Sequence, residues 1–330
     1  LFRSMVISGK KFLLILSFVL VGILVFSSLT IATENYRIGI NQIVEHPALD
    51  AARDGFIDGL AEEGFVEGKN VKFIKENAQG DFATAQTIAK KFRGDNLDLV
   101  LAIATPCAQA TANVIKDTPI MITAVTDPVA SGLVDSLKNP DGNITGTTDM
   151  NPVAEQFALI KKFLPEVSKV GILYNSGEVN SKVQVEIARK TADKMGIKLE
   201  EGTVTNTSEV QLAASSLVNK VDAFYLPTDN VIASAIPAIM KVTNEKNIPV
   251  FASESGMVKQ GAVATKGIDY YQLGKKTGIV AAEVLNGKEP SEIPIEGSDN
   301  LNITINQKAC EKLDLEIPDD LLEKAVKVIE

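Results

Sequence analysis

The chain of 330 residues has no tryptophan, one histidine and two cysteines. A single histidine leaves no second imidazole for a histidine-paired metal site, and the sequence has no CxxC, HExxH, GxSxG or Walker motif. The first β-rich run leads into "GINQIVEHP", which lacks the glycines of a dinucleotide-binding turn. We therefore expect no metal, no cofactor and no catalytic residues, and we predict that the protein is not an enzyme.

Positive charge is also scarce, because Lys and Arg total 33 against 42 Asp and Glu, a formal net charge of -9. Binding to nucleic acid needs a basic face, so nucleic acid is not an expected partner. Cys107 and Cys310 lie far apart in the sequence, and no cysteine follows the N-terminal apolar run as a lipidated anchor would require. We interpret both as buried, small apolar residues rather than as a disulfide.

Residues 1–32 differ in character from the rest of the chain. Three basic residues precede the uncharged run "FLLILSFVLVGILVF", and Thr30 and Ala32 provide small residues for a cleavage site, which is typical of an export signal peptide. The alternative is an uncleaved membrane anchor, because the uncharged stretch from Phe12 to Ala32 has 21 residues. Either interpretation predicts an exported body, in the periplasm or on the outer face of the cytoplasmic membrane.

After the leader, short β-rich runs alternate with segments of helical spacing. The runs lie at 36–40, 71–76, 97–103 and 119–125, and the alternation restarts at 169–175, 197–204, 222–227 and 248–253. Alternating strands and helices require right-handed crossovers, and hence parallel sheets with helices on both faces. We therefore predict an α/β fold of two doubly wound, Rossmann-like lobes joined by a hinge that the chain crosses more than once.

The lobe boundary is expected near residue 150. The segment 126–152 is rich in Gly, Pro, Asn and Asp, which is more typical of a crossing segment than of either sheet. We assign residues 36–149 and about 254–290 to the N-terminal lobe. Residues 150–253 and about 291–330 form the predicted C-terminal lobe.

Polar segments follow the predicted strands at their carboxyl ends, where open α/β sheets bind ligands. Thr105 and Pro106 indicate an N-cap and N1 pair, whose free N–H groups and hydroxyl suit a carboxylate. Asp229 in the facing lobe could accept charge-assisted hydrogen bonds from an ammonium group. Together they predict a zwitterion site, although each polar segment alone is also typical of a structural helix cap.

Three further residues carry open interpretations. His46 precedes Pro47 at an expected helix start, and we interpret it as a rim or packing residue rather than as a catalyst. Tyr174 and Tyr225 lie near the ends of second-lobe strands, where they could stack on an aromatic ligand or belong to the core.

Several long motifs carry a family resemblance from about Tyr36 to the end of the chain. They are "TDPVASGLVDSLKNPDGNITG", "YNSGEVNS", "VDAFYLPTDN", "IPVFASE", "GAVATKGIDYYQLGKKTG" and "INQKACEKLDLEIPDDLL". In these motifs the sequence resembles the ABC-transporter substrate-binding family, whose members include tryptophan and tyrosine binders. The resemblance implies a type I periplasmic-binding fold and a monomer that closes on an amino acid-like ligand, with aromatic amino acids favoured, and delivers it to a membrane permease.

The resemblance also implies a set of ligand-binding residues on both sides of the cleft. They are Gln42, Thr105, Gln109, Thr126 and Asp127 from one lobe and Ser176, Glu178, Asn180, Ser181, Thr228, Asp229 and Glu254 from the other. Alternative functions stay open at this point: a ligand-sensing module of the same fold, the effector domain of a transcription regulator, or a binder of a metabolite that is not an amino acid.

Overall fold

The computed structural model describes residues 36–298 and 301–329, which form two sheets covered by helices. The prediction of an α/β fold with two doubly wound lobes is confirmed. The predicted leader, residues 1–32, lies outside the described residues.

The first lobe is built on a five-stranded parallel sheet with the order β2-β1-β3-β4-β5. Its strands are β1 (Tyr36–Gln42), β2 (Val71–Asn77), β3 (Leu99–Ile103), β4 (Ile120–Val125) and β5 (Ile144–Thr148). Its helices are α1 (Pro47–Glu62), α2 (Phe82–Gly94), α3 (Thr105–Val114) and, from much later in the chain, α10 (Tyr270–Leu285). Every residue of β3, β4 and β5 is buried, as expected of parallel strands covered on both faces.

The second lobe is built on a seven-stranded sheet with the order β12-β11-β10-β9-β8-β6-β7. Its strands are β6 (Lys169–Asn175), β7 (Lys198–Val204), β8 (Ala223–Leu226), β9 (Val250–Ala252), β10 (Ala264–Ile268), β11 (Leu301–Asn306) and β12 (Ala325–Ile329). Its helices are α4 (Val153–Phe163), α5 (Val179–Lys194), α6 (Val210–Leu217), α7 (Asn230–Ser234), α8 (Ile236–Glu245), α9 (Ser255–Lys259), α11 (Gln307–Lys312) and α12 (Asp319–Leu322). Neighbouring strands are parallel except for β10 and β11.

The apolar core follows from the alternation of side chains along the strands. One buried cluster fills the first lobe, whereas the second lobe has two. Phe224 and Tyr225 are neighbours in β8 but belong to different clusters, because successive strand residues point to opposite faces of the sheet. Cys107 and Cys310 are both buried and unpaired, as predicted.

The chain crosses between the two sheets after Thr148, after Ile268 and after Glu296. The interpretation of residues 126–152 as a crossing segment was wrong in one part, since residues 144–148 form β5, the edge strand of the first sheet. The hydrophobic pattern did not reveal this strand, because its central residues Thr145, Gly146 and Thr147 have no large apolar side chains. Within the segment 254–290, β10 pairs in the second sheet, whereas α10 packs against α1 in the first lobe.

Helix α10 joins the first lobe through backbone contact with α1. A Cβ atom on Gly274 would lie 1.9 Å from the carbonyl oxygen of Ala52, and one on Gly278 would lie 2.3 Å from that of Phe56. Gly55 and Gly59 of α1 are equally close to the backbone of α10. Because only glycine permits this approach, these residues fix the helix that starts at the hinge onto the first lobe.

Candidate functional site

Residues from both lobes enclose one small cavity of about 20 Å³. It is lined by His46, Ala48 and Leu49 of the first lobe, by Thr228, Asp229, Ala233, Glu254 and Met257 of the second, and by Asp149 and Tyr270 where the chain crosses between lobes. Three carboxyl groups and no Lys or Arg line this cavity. The enclosed space is therefore acidic and partly apolar.

Asp149 follows β5 and is fully buried. Its Oδ1 accepts a hydrogen bond from the hydroxyl of Thr126 at 2.9 Å, and its Oδ2 accepts one from the hydroxyl of Tyr270 at 2.6 Å. Burial raises the pKa of the Asp149 carboxyl, since these hydroxyls only partly replace water. Sequence reasoning missed both Asp149 and Tyr270. The acidic residue lies within a segment interpreted as a linker, and the tyrosine is the first residue of α10.

Asp229 is the N-cap residue of α7, and its carboxylate accepts three hydrogen bonds within its own lobe. Oδ1 accepts from the backbone N–H of Ile232 at 2.9 Å. Oδ2 accepts from the N–H of Asn175 and the hydroxyl of Ser181, both at 2.6 Å. These contacts tie the end of β6 and the start of α5 to the end of β8.

Glu178 and Asn180 form a second polar group at the start of α5. The carboxylate of Glu178 accepts hydrogen bonds from the side-chain amides of Asn175 at 3.2 Å, Asn180 at 3.0 Å and Asn230 at 2.6 Å. Burial of this carboxyl, with the charge of Asp229 as the next cause, raises the pKa of Glu178 to about 7. The Oδ1 atom of Asn180 is buried and accepts no hydrogen bond within the described residues.

Glu254, the third carboxyl of the cavity, is the N-cap residue of α9. It accepts hydrogen bonds from the backbone N–H groups of Gly256 and of Met257, the latter at 2.9 Å. Burial raises the pKa of Glu254. Its oxygens are thus directed at its own helix.

Helix α3 begins two residues after the end of β3. The helix begins at Thr105 itself, so this residue occupies the first helical position and not the predicted N-cap, which is Ala104 with a φ of 76°. The Thr105 hydroxyl is buried without a partner among the described residues. Burial and, next, the carboxylate of Glu178 raise the pKa of the Cys107 thiol in the first turn of α3.

The other predicted site residues have partners outside the cavity. Gln42 donates to the carbonyl of Val44 and the carboxylate of Asp50, and Gln109 donates to the carbonyl of Ser131. Asp127 accepts from two N–H groups of the turn that follows it, and the N–H of Ser176 donates to a carbonyl of β7. Thr228 lines the cavity and accepts from the amide of Asn151 at 2.7 Å.

Tyr174 and Tyr225 do not line the cavity, contrary to the interpretation that they stack on an aromatic ligand. Tyr225 is fully buried in the second lobe, where it packs against Phe157 and donates to Gln156 at 2.5 Å. Tyr174 donates to Glu201 of the neighbouring strand β7 at 3.1 Å. Neither lines the cavity, so their alternative interpretation as core residues is the correct one.

Two classes of site are absent from the part of the chain that the structure describes. No group of three or more His, Cys, Asp or Glu residues is arranged to hold a metal ion there. None of the helices in the same residues is long and apolar enough to cross a membrane.

The sequence pattern of ABC transporter substrate binding proteins matches residues 37–329. The chain belongs to this family. Because its homologues are solute-binding proteins, the prediction that it is a binding protein and not an enzyme is confirmed.

Three relatives illustrate the similarity. The Tyrosine-binding protein of Clostridioides difficile (strain R20291) is 44% identical over 327 residues, 94% of each chain. A domain crystallised in complex with L-Trp, from Streptococcus pneumonia, is 39% identical with a TM-score of 0.87, covering 89% of this chain and 100% of the other. The ligand-free, open structure of a substrate binding protein with adhesive properties from Clostridium difficile is 46% identical with a TM-score of 0.69, covering 89% and 99%.

Proposed function

We propose that this protein is the extracytoplasmic substrate-binding component of an ABC importer, and that it binds an amino acid, with aromatic amino acids favoured, between its lobes. The observations that carry the proposal are the cavity lined by residues of both lobes, His46 among them, and the buried polar atoms without partners at His46, Thr105 and Asn180. Buried polar groups are costly unless they are paired, so a ligand that pairs all of them is favoured.

The α-carboxylate of the ligand binds at the start of α3. The first N–H groups of this helix and the unpaired Thr105 hydroxyl are donors, and the positive end of the helix dipole adds to the attraction. The proposal thus assigns to Thr105 the role that was predicted for it from the sequence.

The α-ammonium group binds to Glu178 and to the unpaired Oδ1 of Asn180. Both acceptors lie at the start of α5, and the charge of Glu178 is among the causes that raise the pKa of the Cys107 thiol in the first turn of α3. The charge of an ammonium group would also offset the desolvation that raises the pKa of Glu178. Asp229 is less suited, because its carboxylate already accepts three hydrogen bonds from its own lobe.

The ligand is held by closure of the two lobes about the hinge. The chain is more similar in identity to the open, ligand-free relative, at 46%, than to the L-Trp complex, at 39%. The TM-scores have the opposite order, since the score is 0.69 with the open, ligand-free relative and 0.87 with the L-Trp complex. This reversal supports a closed arrangement of the lobes like that of a ligand complex, and it supports hinge closure as the response to ligand. The closed monomer then docks on a membrane permease.

A thermal-shift screen against amino acids, nucleosides and sugars tests the ligand class. An amino acid at 100 times its Kd should stabilise the protein by about 2.7 kcal/mol, because it binds the native state alone. Titration calorimetry then ranks the amino acids that stabilise it. Stabilisation by sugars or nucleosides and by no amino acid would contradict the proposal and favour another metabolite.

A further inference from the structure

The strongest unexplained feature of the cavity is His46. This residue lies immediately before Pro47 at the start of α1, with extended backbone (φ −159°, ψ 160°), and its ring lines the interlobe cavity. It is only 9% exposed, and neither Nδ1 nor Nε2 has a hydrogen-bond partner among the described residues. A buried imidazole without partners costs free energy, so the position needs an explanation.

The polar neighbours of His46 are committed to other groups. The side chain of Asn230 lies next to the imidazole and acts to raise its pKa, but neither ring nitrogen meets hydrogen-bond geometry with it, and its Nδ2 donates to Glu178 at 2.6 Å. The carboxylate of Asp50 accepts from Gln42 at 2.8 Å and from Arg53 at 3.1 Å. Burial lowers the pKa of His46 to about 4, so the ring is neutral at pH 7, with one nitrogen as donor and the other as acceptor.

The cavity that His46 lines has an apolar part beside its carboxyl groups. Leu49, Ala233, Met257 and the ring of Tyr270 line the same cavity as His46. Asn230 lies next to Glu178 on one side and next to His46 on the other. A ligand with its ammonium group on Glu178 would therefore extend its side chain past Asn230, along the apolar wall, and end at the imidazole.

We propose that His46 recognises a polar group on the ring of an aromatic amino acid, so that the protein selects tyrosine and tryptophan over phenylalanine. This inference rests on the proposed function and adds a specificity-determining residue to it. A phenol hydroxyl both donates and accepts, and an indole N–H donates, so each can pair with the neutral imidazole. Phenylalanine has no polar group on its ring, so it leaves both ring nitrogens of His46 unpaired.

Tyrosine should bind more tightly than phenylalanine, because only tyrosine can pair with the imidazole of His46. A site built around a buried polar group discriminates strongly against a ligand that lacks the matching group, whereas an apolar site discriminates weakly. We expect tyrosine to bind at least about tenfold more tightly than phenylalanine, the effect of leaving one buried hydrogen-bonding group unsatisfied.

The test is a thermodynamic cycle between the His46 ring and the ligand hydroxyl. Titration calorimetry at pH 7 measures tyrosine and phenylalanine with the wild-type protein, with His46→Leu and with His46→Gln. The leucine variant removes hydrogen bonding, and the glutamine variant retains a donor and an acceptor. We expect His46→Leu to bring the affinities of the two ligands within about threefold of each other, mainly by weakening tyrosine. His46→Gln should keep part of the preference.

The possible outcomes separate this inference from the proposed function. Equal affinity of the wild-type protein for tyrosine and phenylalanine would overturn the role of His46 and leave amino-acid binding intact. The same tyrosine preference in His46→Leu as in the wild type would do so too, since a structural role would weaken both ligands alike. Absence of binding by any amino acid would overturn both proposals. If the leucine variant does not fold, the ratio of tyrosine affinity to phenylalanine affinity in the wild type and in the glutamine variant still tests the role of His46.

Discussion

Asp229 and Glu178 are both acidic residues near the interlobe cavity, but their hydrogen bonds indicate different roles. The carboxylate of Asp229 joins three segments of one lobe, whereas that of Glu178 accepts only side-chain amides. A carboxylate that pairs buried backbone N–H groups contributes chiefly to stability. One that is buried without a cation is available to a ligand.

Asp229→Ala should therefore lower the free energy of unfolding by about 2 kcal/mol, the combined effect of a lost helix cap and an unpaired buried N–H. Chemical denaturation of the ligand-free protein measures this change. Glu178→Gln is the comparison variant, because it keeps the shape of the side chain while it removes the charge and replaces one acceptor oxygen by an NH2 group. It should weaken amino-acid binding and lower stability less than Asp229→Ala does. Loss of affinity without loss of stability in Asp229→Ala would instead return Asp229 to the ammonium site.

Ligand affinity should depend on pH through Glu178. Its pKa in the ligand-free protein is raised from 4.5 to about 7, so the carboxyl is increasingly protonated below pH 7, and a ligand ammonium must displace that proton. Affinity should therefore fall as the pH decreases below 7, by up to about tenfold per unit, and level off above it. Calorimetry between pH 5 and 8 measures the profile, and Glu178→Gln should flatten it. A wild-type profile that is already flat would exclude Glu178 from ligand binding.

At the scale of elements, the sequence predicted most strands and helices because each carries its own hydrophobic period. The run at 169–175 coincides with β6, and the run at 71–76 lies within β2. Strand β5 escaped prediction because its burial comes from α10 and the neighbouring strand β4, not from apolar residues of its own. Its Thr145 and Thr147 hydroxyls are satisfied by Ile293 and Thr277, which are distant in sequence.

The contact of α1 with α10 gives an element-scale prediction. Gly274→Ala should destabilise the protein by about 2 kcal/mol or more, because its Cβ would overlap the Ala52 carbonyl and force the helices apart. Gly94→Ala is the control, since that glycine ends α2 with no atom within 4 Å of a built Cβ, and it should be neutral or stabilising by up to about 1 kcal/mol. Thermal unfolding compares the two variants. Equal behaviour would show that the close packing is not required.

At the scale of the molecule, closure should be visible in solution. Small-angle X-ray scattering should give a smaller radius of gyration for the protein saturated with its best amino acid than for the free protein, since the ligand binds to both lobes at once. The radius of gyration of the Glu178→Gln variant at the same ligand concentration should stay closer to that of the free protein. Its weaker binding shifts less of the population to the closed conformation. Identical scattering of free and saturated wild-type protein would contradict ligand-driven closure.

The sequence alone determined the class of fold, the position of Thr105 at a helix start and the family, because periodicity, turn residues and motifs are local properties of the chain. It also identified Glu178, Asn180 and Asp229 as polar residues that follow strands. Which acidic residue is committed to its own lobe, and which polar atoms lack partners, was decided only by the tertiary structure. The reason is physical: the donors that satisfy Asp229 and the neighbours that fail to satisfy His46 come from segments far apart in sequence, and only folding brings them together.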